Sequence, residues 1–371
     1  MQGGTLQDQQ WMARALALAQ RGEIGTTPNP RVGCILVQGD CEIAHGWHSR
    51  AGEAHAEAAA LRAILPDHNP VGSTAYVTLE PCSHHGKTPP CSDALISAGI
   101  SRCVVGMTDP NPIISGRGIA RMRQAGIEVT LLEAFPEGRW LNRRFLSAME
   151  RNRPWIVLKC AESADGFMDP PRRTGETGSL SITSPVLQRL THRWRAEEGA
   201  ILVGAGTVIM DDPELNVREF DGPDPLRIVM DLNGRTTSQS KVYATGSSTL
   251  VAGGPADLPP HVSRLSLDEG DVFPDLMKAL QQLDVRSVLV EGGADTLRRF
   301  LEADLWDEIR ICRSNQAVGG GLTAPTWPTE RSALLRGQHP FGSDNVEYRV
   351  HKKSAEWVGM ACAPTLSISL P

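Results

Sequence analysis

Between Pro81 and Cys91 the chain reads PCSHHGKTPPC, which brings two cysteines and two histidines into one short loop. Thiolates and imidazoles are the usual zinc ligands. Structural sites close the tetrahedron with four protein groups, and catalytic sites leave one position to water. Taken alone, the loop nominates Cys82, His84, His85 and Cys91 as a closed set. Adjacent histidines tend to diverge in an extended or turn conformation, which counts against that set.

A second arrangement starts upstream, where His55-Ala56-Glu57 opens an alanine-rich stretch. A histidine, one spacer and a glutamate, followed later by Pro-Cys and a second Cys, form the pattern of zinc-dependent nucleobase deaminases. In that chemistry one imidazole and two thiolates hold the metal, and the metal makes a water acidic enough to attack near neutral pH. The glutamate is not a ligand; it moves protons from the water to the ring and the departing ammonia. By itself His-Ala-Glu is also a common helix start with a solvated glutamate. Residues i and i+2 of a helix point apart, so His55 and Glu57 converge only if His55 stands at the helix entrance.

The elements that must carry these residues follow from apolar spacing. Residues 8–21 have helical periodicity. Beyond the breaker TTPNPRVG come strand-like RVGCILV, helix AEAAALRAIL, strand TAYVTLE, the Cys/His loop, helix SDALISAG, strand RCVVGM, helix GIARMRQAG and strand IEVTLL. Polar, proline-ended MERNRP (149–154) marks a boundary. A second alternation follows, with WIVLKC, AILVGAGTV, LRIVMD, SVLVEGG and DEIRIC as strands and SPVLQRLTHRWRAEEG and ADTLRRFLEA as helices. AGGPADLPP and AVGGGLTAPTWP read as connecting loops. Alternation of this kind predicts two α/β domains, 1–150 and 151–371, as expected for 371 residues.

Bulk properties narrow the function classes. The net charge of -6 offers no global attraction for nucleic acid. With no apolar run of about eighteen residues, a membrane span is not expected. The N-terminus has no basic segment leading into an apolar core, so the cytoplasm is the expected location. The eight cysteines are scattered, most of them in apolar runs, which disfavours a disulfide framework.

PNPRVG, GWHSRAGEAHAEAAAL, AYVTLEPCSHHGKTPPCSDALI and MTDPNPIISGRG together resemble the bifunctional riboflavin-biosynthesis deaminase-reductases. The general deaminase pattern has two residues between its cysteines. Here eight stand between them, and that family carries this longer loop. In the second half KCAESADGF, SITSP, HRWRAEEGAILVGAGTVIMDDPELNVR, RIVMD and EGGADTL carry the likeness, so it covers nearly the whole chain.

The resemblance implies a cytidine-deaminase-like α/β/α domain followed by a dihydrofolate-reductase-like α/β domain. It implies one zinc per chain on His55, Cys82 and Cys91, with Glu57 as the proton carrier. Asn29 is expected near the substrate base, or is simply a turn asparagine. His48, His84, His85 and Lys87 are expected at the entrance, with Lys87 alternatively on the substrate phosphate. In the second domain the family implies NADPH beside Glu162, Ser181, Thr207, Asp211, Leu232, Gly292 and Gly293. Substrate contacts are expected at Ser179 (or Thr177), Arg195, Leu215, Arg218 and Glu291. Asp211 is the acid-base candidate, or else a turn cap. The substrate is a small molecule, a pyrimidine ribosyl phosphate that is deaminated and then reduced at its ribose. A homodimer is a family expectation.

Read from the residues, VGAGTV lacks the third glycine of a dinucleotide-binding fingerprint. EGGADTL does offer backbone amides where a phosphate can approach. Ser181 stands where the family has tryptophan, Glu162 where it has a small neutral residue, and ICRSNQAVGGG replaces its Ala-Pro step. An active deaminase with a weakened reductase is therefore the first alternative. A nucleic-acid deaminase is a second, and a zinc-stabilised binding protein without catalysis a third.

Overall fold

The computed structural model describes residues 4–22, 24–84, 89–112, 114–132, 134–173, 175–178, 180–267 and 271–360. The chain divides into two compact units, Met1–Arg151 and Asn152–Pro371.

In the first unit the elements run α1 (Leu6–Gln20), β1 (Gly33–Gln38), β2 (Cys41–Trp47), α2 (Ala56–Arg62), β3 (Thr74–Val77), α3 (Cys91–Ser97), β4 (Arg102–Val105), α4 (Arg117–Gln124), β5 (Glu128–Leu131), α5 (Pro136–Leu141) and α6 (Arg143–Glu150). The five strands form one sheet in the order β2-β1-β3-β4-β5. β1 is antiparallel to β2 and β3, while β3, β4 and β5 are parallel. Helices cover both faces, so β1, with Cys34 through Val37 buried, carries a nearly unbroken apolar run.

α2 is short and alanine-rich because it lies close against β2. A β-carbon on Gly46 would stand 2.7 Å from the Ala56 carbonyl oxygen and from the Ala59 methyl. Only a glycine on the strand and alanines on the helix leave room for that approach. The sequence expectation missed β2, whose segment CEIAHGW alternates too weakly to announce a strand. The boundary expected within MERNRP lies just past the end of α6 at Glu150, and the two compact units divide at Arg151.

α1 is fixed by one carboxylate. Thr5 caps the helix, with the Asp8 amide donating to Thr5 Oγ1 at 3.1 Å and the Thr5 amide to Asp8 Oδ2 at 2.8 Å. The same Asp8 receives Arg102 Nη1 and Nη2 at 2.7 and 2.9 Å and the Tyr76 hydroxyl at 3.0 Å. These bonds tie α1 to β3 and β4.

The second unit contains β6 (Trp155–Glu162), β7 (Phe167–Asp169), α7 (Pro185–Glu197), β8 (Ala200–Gly204), α8 (Ala205–Asp211), β9 (Leu226–Asp231), β10 (Thr249–Gly253), β11 (Val262–Leu265), α9 (Val272–Gln282), β12 (Ser287–Val290), α10 (Ala294–Glu302), β13 (Glu308–Arg313), β14 (Leu322–Thr323), β15 (Ala333–Phe341), β16 (Asp344–His351) and α11 (Lys352–Trp357). Nine strands join in the order β11-β10-β9-β8-β12-β6-β13-β16-β15, and β7 pairs with β14 in a small ribbon. The sheet is parallel from β11 to β13, and a hairpin of β15 and β16 closes its other edge antiparallel.

One face packs Ile156, Leu158, Leu202 and Phe300, the other Ile201, Val203, Val229 and Tyr243. The expected strand AILVGAGTV stops at Gly204, because from Ala205 the backbone turns into α8. That sharp strand-to-helix turn puts Thr207 and Asp211 beyond the carboxyl end of β8, where open α/β sheets bind ligands.

Arg102, with its hydrogen bonds to Asp8, holds the Asp8 carboxyl well below the usual carboxylate range, outweighing burial. A depressed folded-state pKa contributes stability that is present above the unfolded carboxyl pKa of about 3.9 and is lost as pH falls. Asp8→Asn should therefore cost about 2 kcal/mol at pH 7. In urea titrations at several pH values the gap to wild type should narrow below about pH 4. A gap independent of pH would remove the ion pair from this account.

Candidate active sites

His55 is the N-cap residue of α2, with extended backbone angles (φ -68°, ψ 161°). At that corner its ring can turn toward the cysteines while Glu57, one step inside the helix, points into the same space. Cys91 opens α3, and its amide donates to Cys82 Sγ at 3.3 Å. The Ser92 hydroxyl and amide both reach the Cys82 carbonyl oxygen, at 3.0 and 3.1 Å. The first turn of α3 thus holds both cysteines in place.

His55 Nδ1 lies 3.7 Å from Cys82 Sγ and 3.4 Å from Cys91 Sγ, and the three ligand atoms all fall within 4.8 Å of one another. With Zn–S near 2.3 Å and Zn–N near 2.0–2.1 Å, a tetrahedral S···N edge is about 3.6 Å, so the donor set fits zinc. Among the described residues no other group of histidines, cysteines and carboxylates gathers in this way. His84, nominated by the closed-loop reading, is exposed and outside the cluster. His85 and Lys87 lie outside the described residues.

The charges at this cluster interlock. The Cys91 thiol and then the His55 imidazole stabilise Cys82 as a thiolate, well below the ordinary thiol range, and Cys91 is pushed up in return. Hydrogen bonding to Cys82 raises His55. Glu57 is 3 % exposed, and burial followed by the charge of Cys82 pushes its carboxyl up to about 7. A divalent cation among these groups would favour their ionised forms.

His48 is buried beside the cluster, its ring edge-on to that of His55 at 5.5 Å between centroids. The exposed Asn29 places its amide nitrogen 3.2 Å from His48 Nε2, and His48 Nδ1 lies 3.1 Å from the Ala54 carbonyl oxygen. Those two contacts describe a neutral imidazole that donates from Nδ1 and accepts at Nε2. Burial agrees, lowering the His48 pKa.

Sequence reasoning gave no role to Glu80, two residues before Cys82. Its buried carboxylate accepts four backbone amides: Gly116 and Gly118 at 2.9 Å, Ile119 at 3.2 Å and Asp109 at 3.3 Å. It thereby pins the cysteine loop to the start of α4. The approach is so close that a β-carbon on Gly118 would run into the Pro81 carbonyl oxygen. The segment MTDPNPIISGRG contained the signal, since its glycines stand where a helix start meets another backbone.

In the second unit a cavity of about 730 Å³ opens at the carboxyl ends of β8, β9 and β12, in the size range of cofactor sites. Ser181, Thr207, Asp211, Leu232 and Gly293 line it among the expected cofactor residues. Arg195, Leu215, Arg218 and Glu291 line it among the expected substrate residues. Ser179 lies outside the described residues, and Thr177 is exposed and not part of the lining. Gly292 sits behind the turn, packed against the Gly204 amide and Thr296, while Gly293 donates to Thr207 Oγ1 at 2.8 Å.

Glu162 is not among the lining residues. It is buried, with Trp327 Nε1 on one carboxylate oxygen and Arg313 Nη1 2.5 Å from the other. Arg195 spends its fork on Glu291, at 2.9 and 2.8 Å, instead of presenting it bare to a phosphate. Although burial opposes it, Arg195, followed by Lys159, holds Glu291 down at about 2. Asp211 ends α8 and meets Arg172 Nη2 at 2.9 Å; burial raises its carboxyl more than Arg172 lowers it. Leu215 is buried in the left-handed region at φ 55°, a strain that no sequence pattern announces.

Residues 5–107 match the cytidine and deoxycytidylate deaminase zinc-binding region, and residues 154–336 match the RibD C-terminal domain. The riboflavin biosynthesis protein RibD of Escherichia coli is 41% identical over 335 residues, 85% of this chain and 89% of that protein. That of Aquifex aeolicus is 36% identical, with coverage of 85% and 89%. Among solved structures, the diaminohydroxyphosphoribosylaminopyrimidine deaminase/5-amino-6-(5-phosphoribosylamino)uracil reductase of Thermotoga maritima superposes with a TM-score of 0.82 at 32% identity, covering 93% of this chain and 99% of that one. RibD of Acinetobacter baumannii superposes with a TM-score of 0.81 at 34% identity and the same coverage.

The fold is therefore a deaminase-like domain followed by a RibD reductase domain, and the chain is a bifunctional enzyme of riboflavin biosynthesis acting on small molecules. Its cofactors are zinc and NADPH. Deaminase motif, reductase cavity and end-to-end similarity agree, and the chain belongs to the RibD family of riboflavin-biosynthesis deaminase-reductases.

Proposed function

We propose that residues 1–150 deaminate a diaminopyrimidinone ribosyl phosphate and that residues 151–371 reduce the ribose of its product to a ribityl chain. The observation that carries the first half is the convergence of His55, Cys82 and Cys91, with the Glu57 carboxylate buried beside them. Zinc bound there supplies Lewis acidity that makes a water nucleophilic near neutral pH. Glu57 accepts the proton of the attacking water, delivers it to the ring nitrogen and serves the departing ammonia. Asn29 and His48 stand where they can meet the edge of the base, an amide and a neutral imidazole offering both donors and acceptors. Lys87 keeps its expected role at the entrance or on the substrate phosphate.

For the second half NADPH supplies the hydride. Reduction at C1 of the opened ribose would also require a proton at the attached heteroatom. Asp211 is the carboxyl placed to hold or move that proton, because it lines the cavity and Arg172 fixes its orientation. Thr207 and Gly293 flank the cofactor, and Leu232 and Ser181 border it. Arg195, Leu215, Arg218 and Glu291 form the substrate wall, with Ser179 assigned to the same role from the resemblance. Arg195 and Glu291 act there as a neutralised pair, and Arg218 supplies the more exposed charge. The weakened-reductase alternative loses one support: Glu162 sits in a structural network with Arg313 and Trp327 and adds no charge to the cavity lining. The cytoplasm remains the proposed location; among the described residues no helix is long and apolar enough to cross a membrane.

Glu57→Gln keeps the shape and removes the proton carrier. Ammonia release should fall at least about 100-fold while metal analysis still finds one zinc per chain. Loss of zinc, or retained deamination, would count against the assigned role. Asp211→Asn should lower substrate-dependent NADPH oxidation by about 10- to 100-fold, with ammonia release kept at the wild-type rate. An equal fall in both activities would indicate a folding defect instead.

A further inference from the structure

The segment that carries Asn29 reads TTPNPRVG, and its prolines leave little rotational freedom. Pro30 fixes its own φ, and a residue that precedes a proline is confined to extended backbone. Asn29, Pro30 and Arg31 therefore move as one short lever. Whatever fixes the Arg31 backbone also fixes where the Asn29 side chain stands.

The Arg31 backbone is held by a side chain 111 positions away. Its amide donates to Asn142 Oδ1 at 2.8 Å, and its carbonyl oxygen accepts from Asn142 Nδ2 at 3.0 Å. A primary amide offers a donor and an acceptor together, as a neighbouring strand does. The strand that could have done this is β3, which ends at Val77. The next residue, Thr78, still serves Gly33: the Gly33 amide donates to Thr78 Oγ1 at 3.1 Å, and the Gly33 carbonyl oxygen accepts the Thr78 amide at 3.1 Å. Beyond Thr78 the chain turns off toward Cys82, with the Glu80 amide on the Met107 carbonyl oxygen at 2.9 Å. Asn142 supplies the pairing that β3 no longer gives. One residue past Arg31, the Val32 carbonyl oxygen takes the His48 amide at 3.0 Å, so the lever is also joined to the residue whose ring Asn29 meets at 3.2 Å.

Asn142 is suited to anchoring. It is 3% exposed and stands where α5 ends and α6 begins. Its amide donates to the Gly138 carbonyl oxygen at 3.1 Å, and its carbonyl oxygen accepts the Leu146 amide at 2.9 Å. An asparagine at a helix start normally turns its side chain onto a first-turn amide. Asn142 makes no such cap, and its side chain is spent on Arg31 instead.

We propose that Asn142 is a positioning residue of the deaminase: standing in for a strand beside Arg31, it sets where Asn29 meets His48 and the edge of the substrate base. The proposal rests on the reading of Asn29 as a contact to the base. A misplacement of about 1 Å at such a contact costs up to about 100-fold in rate. The zinc ligands, carried at the starts of α2 and α3, are not part of the lever.

Asn142→Ser keeps a residue type that caps helices and removes the paired amide. The test uses the zinc-loaded full chain and the diaminopyrimidinone ribosyl phosphate. Ammonia release by this variant should lose about 10- to 100-fold in kcat/KM, most of it through KM. One zinc per chain and wild-type NADPH oxidation on the deaminated product should remain. Asn142→Asp, which keeps the acceptor and loses the donor, should fall between the two. In an Asn29→Ala background Asn142→Ser should add less than about threefold, because both changes disable one contact.

Losses that multiply in the double variant, a fall in kcat with KM unchanged, or full deamination by Asn142→Ser beside an impaired Asn29→Ala would overturn the proposal and leave Asn29 in its role. If the serine variant loses zinc, the aspartate variant carries the comparison. Loss of zinc there as well would overturn the proposal, since Asn142 would then hold the whole unit rather than the loop. Wild-type deamination by Asn29→Ala would remove the reading of Asn29, and the proposal with it.

Discussion

The deaminase site depends on how closely α2 can lie on β2. His55 and Glu57 are carried on the first turn of a short helix, and that turn reaches the cysteines only because Gly46 presents no side chain to Ala56 and Ala59. The same economy recurs where the cysteine loop meets α4. There Gly118 lies against the Pro81 carbonyl oxygen, and the Glu80 carboxylate binds the amides that begin the helix. Ligand geometry follows from these two approaches: one fixes the histidine, the other fixes the cysteines, and the amide of Cys91 joins them. Preorganisation of this kind matters because a metal ligand displaced by a few tenths of an ångström no longer shares the tetrahedron.

Charge is handled differently in the second unit. Nearly every ionisable group around the reductase cavity is already matched, Arg195 by Glu291 and Arg172 by Asp169 and Asp211. Paired charges cost less to bury than single ones and keep their orientation when a ligand arrives. The strain at Leu215 and the turn from β8 into α8 sit on the same wall, so the local irregularities gather where ligands bind. Away from that edge the sheet is regular and apolar.

Much of this was legible in the residues. His-Ala-Glu with two later cysteines pointed to the three side chains that gather in the fold and to the glutamate buried beside them, because the chemistry dictates residue types that local spacing preserves. What escaped was set by contacts distant in sequence. CEIAHGW became a strand through pairing with β1, and the β15–β16 hairpin closed the sheet without a strong alternation of its own. AILVGAGTV was read one element too long because a glycine-rich strand exit and a glycine-rich strand look alike. Glu162 was expected at the cofactor, yet a buried carboxylate goes where its partners are, and Trp327 and Arg313 come from loops and strands that no local pattern connects to it. Glu80 was overlooked for the same reason, since its role consists of accepting backbone amides that carry no residue label.

The central claim is that one imidazole and two thiolates, delivered by two helix starts and the loop between them, form an open zinc site. X-ray absorption at the zinc edge of the metal-loaded chain tests it most directly. The account predicts two sulphur neighbours near 2.3 Å and two nitrogen or oxygen neighbours near 2.0–2.1 Å, only one of them an imidazole. Two imidazoles beside the two sulphurs would mean that the loop histidines close the site after all. Fewer than two sulphurs would contradict the ligand set itself.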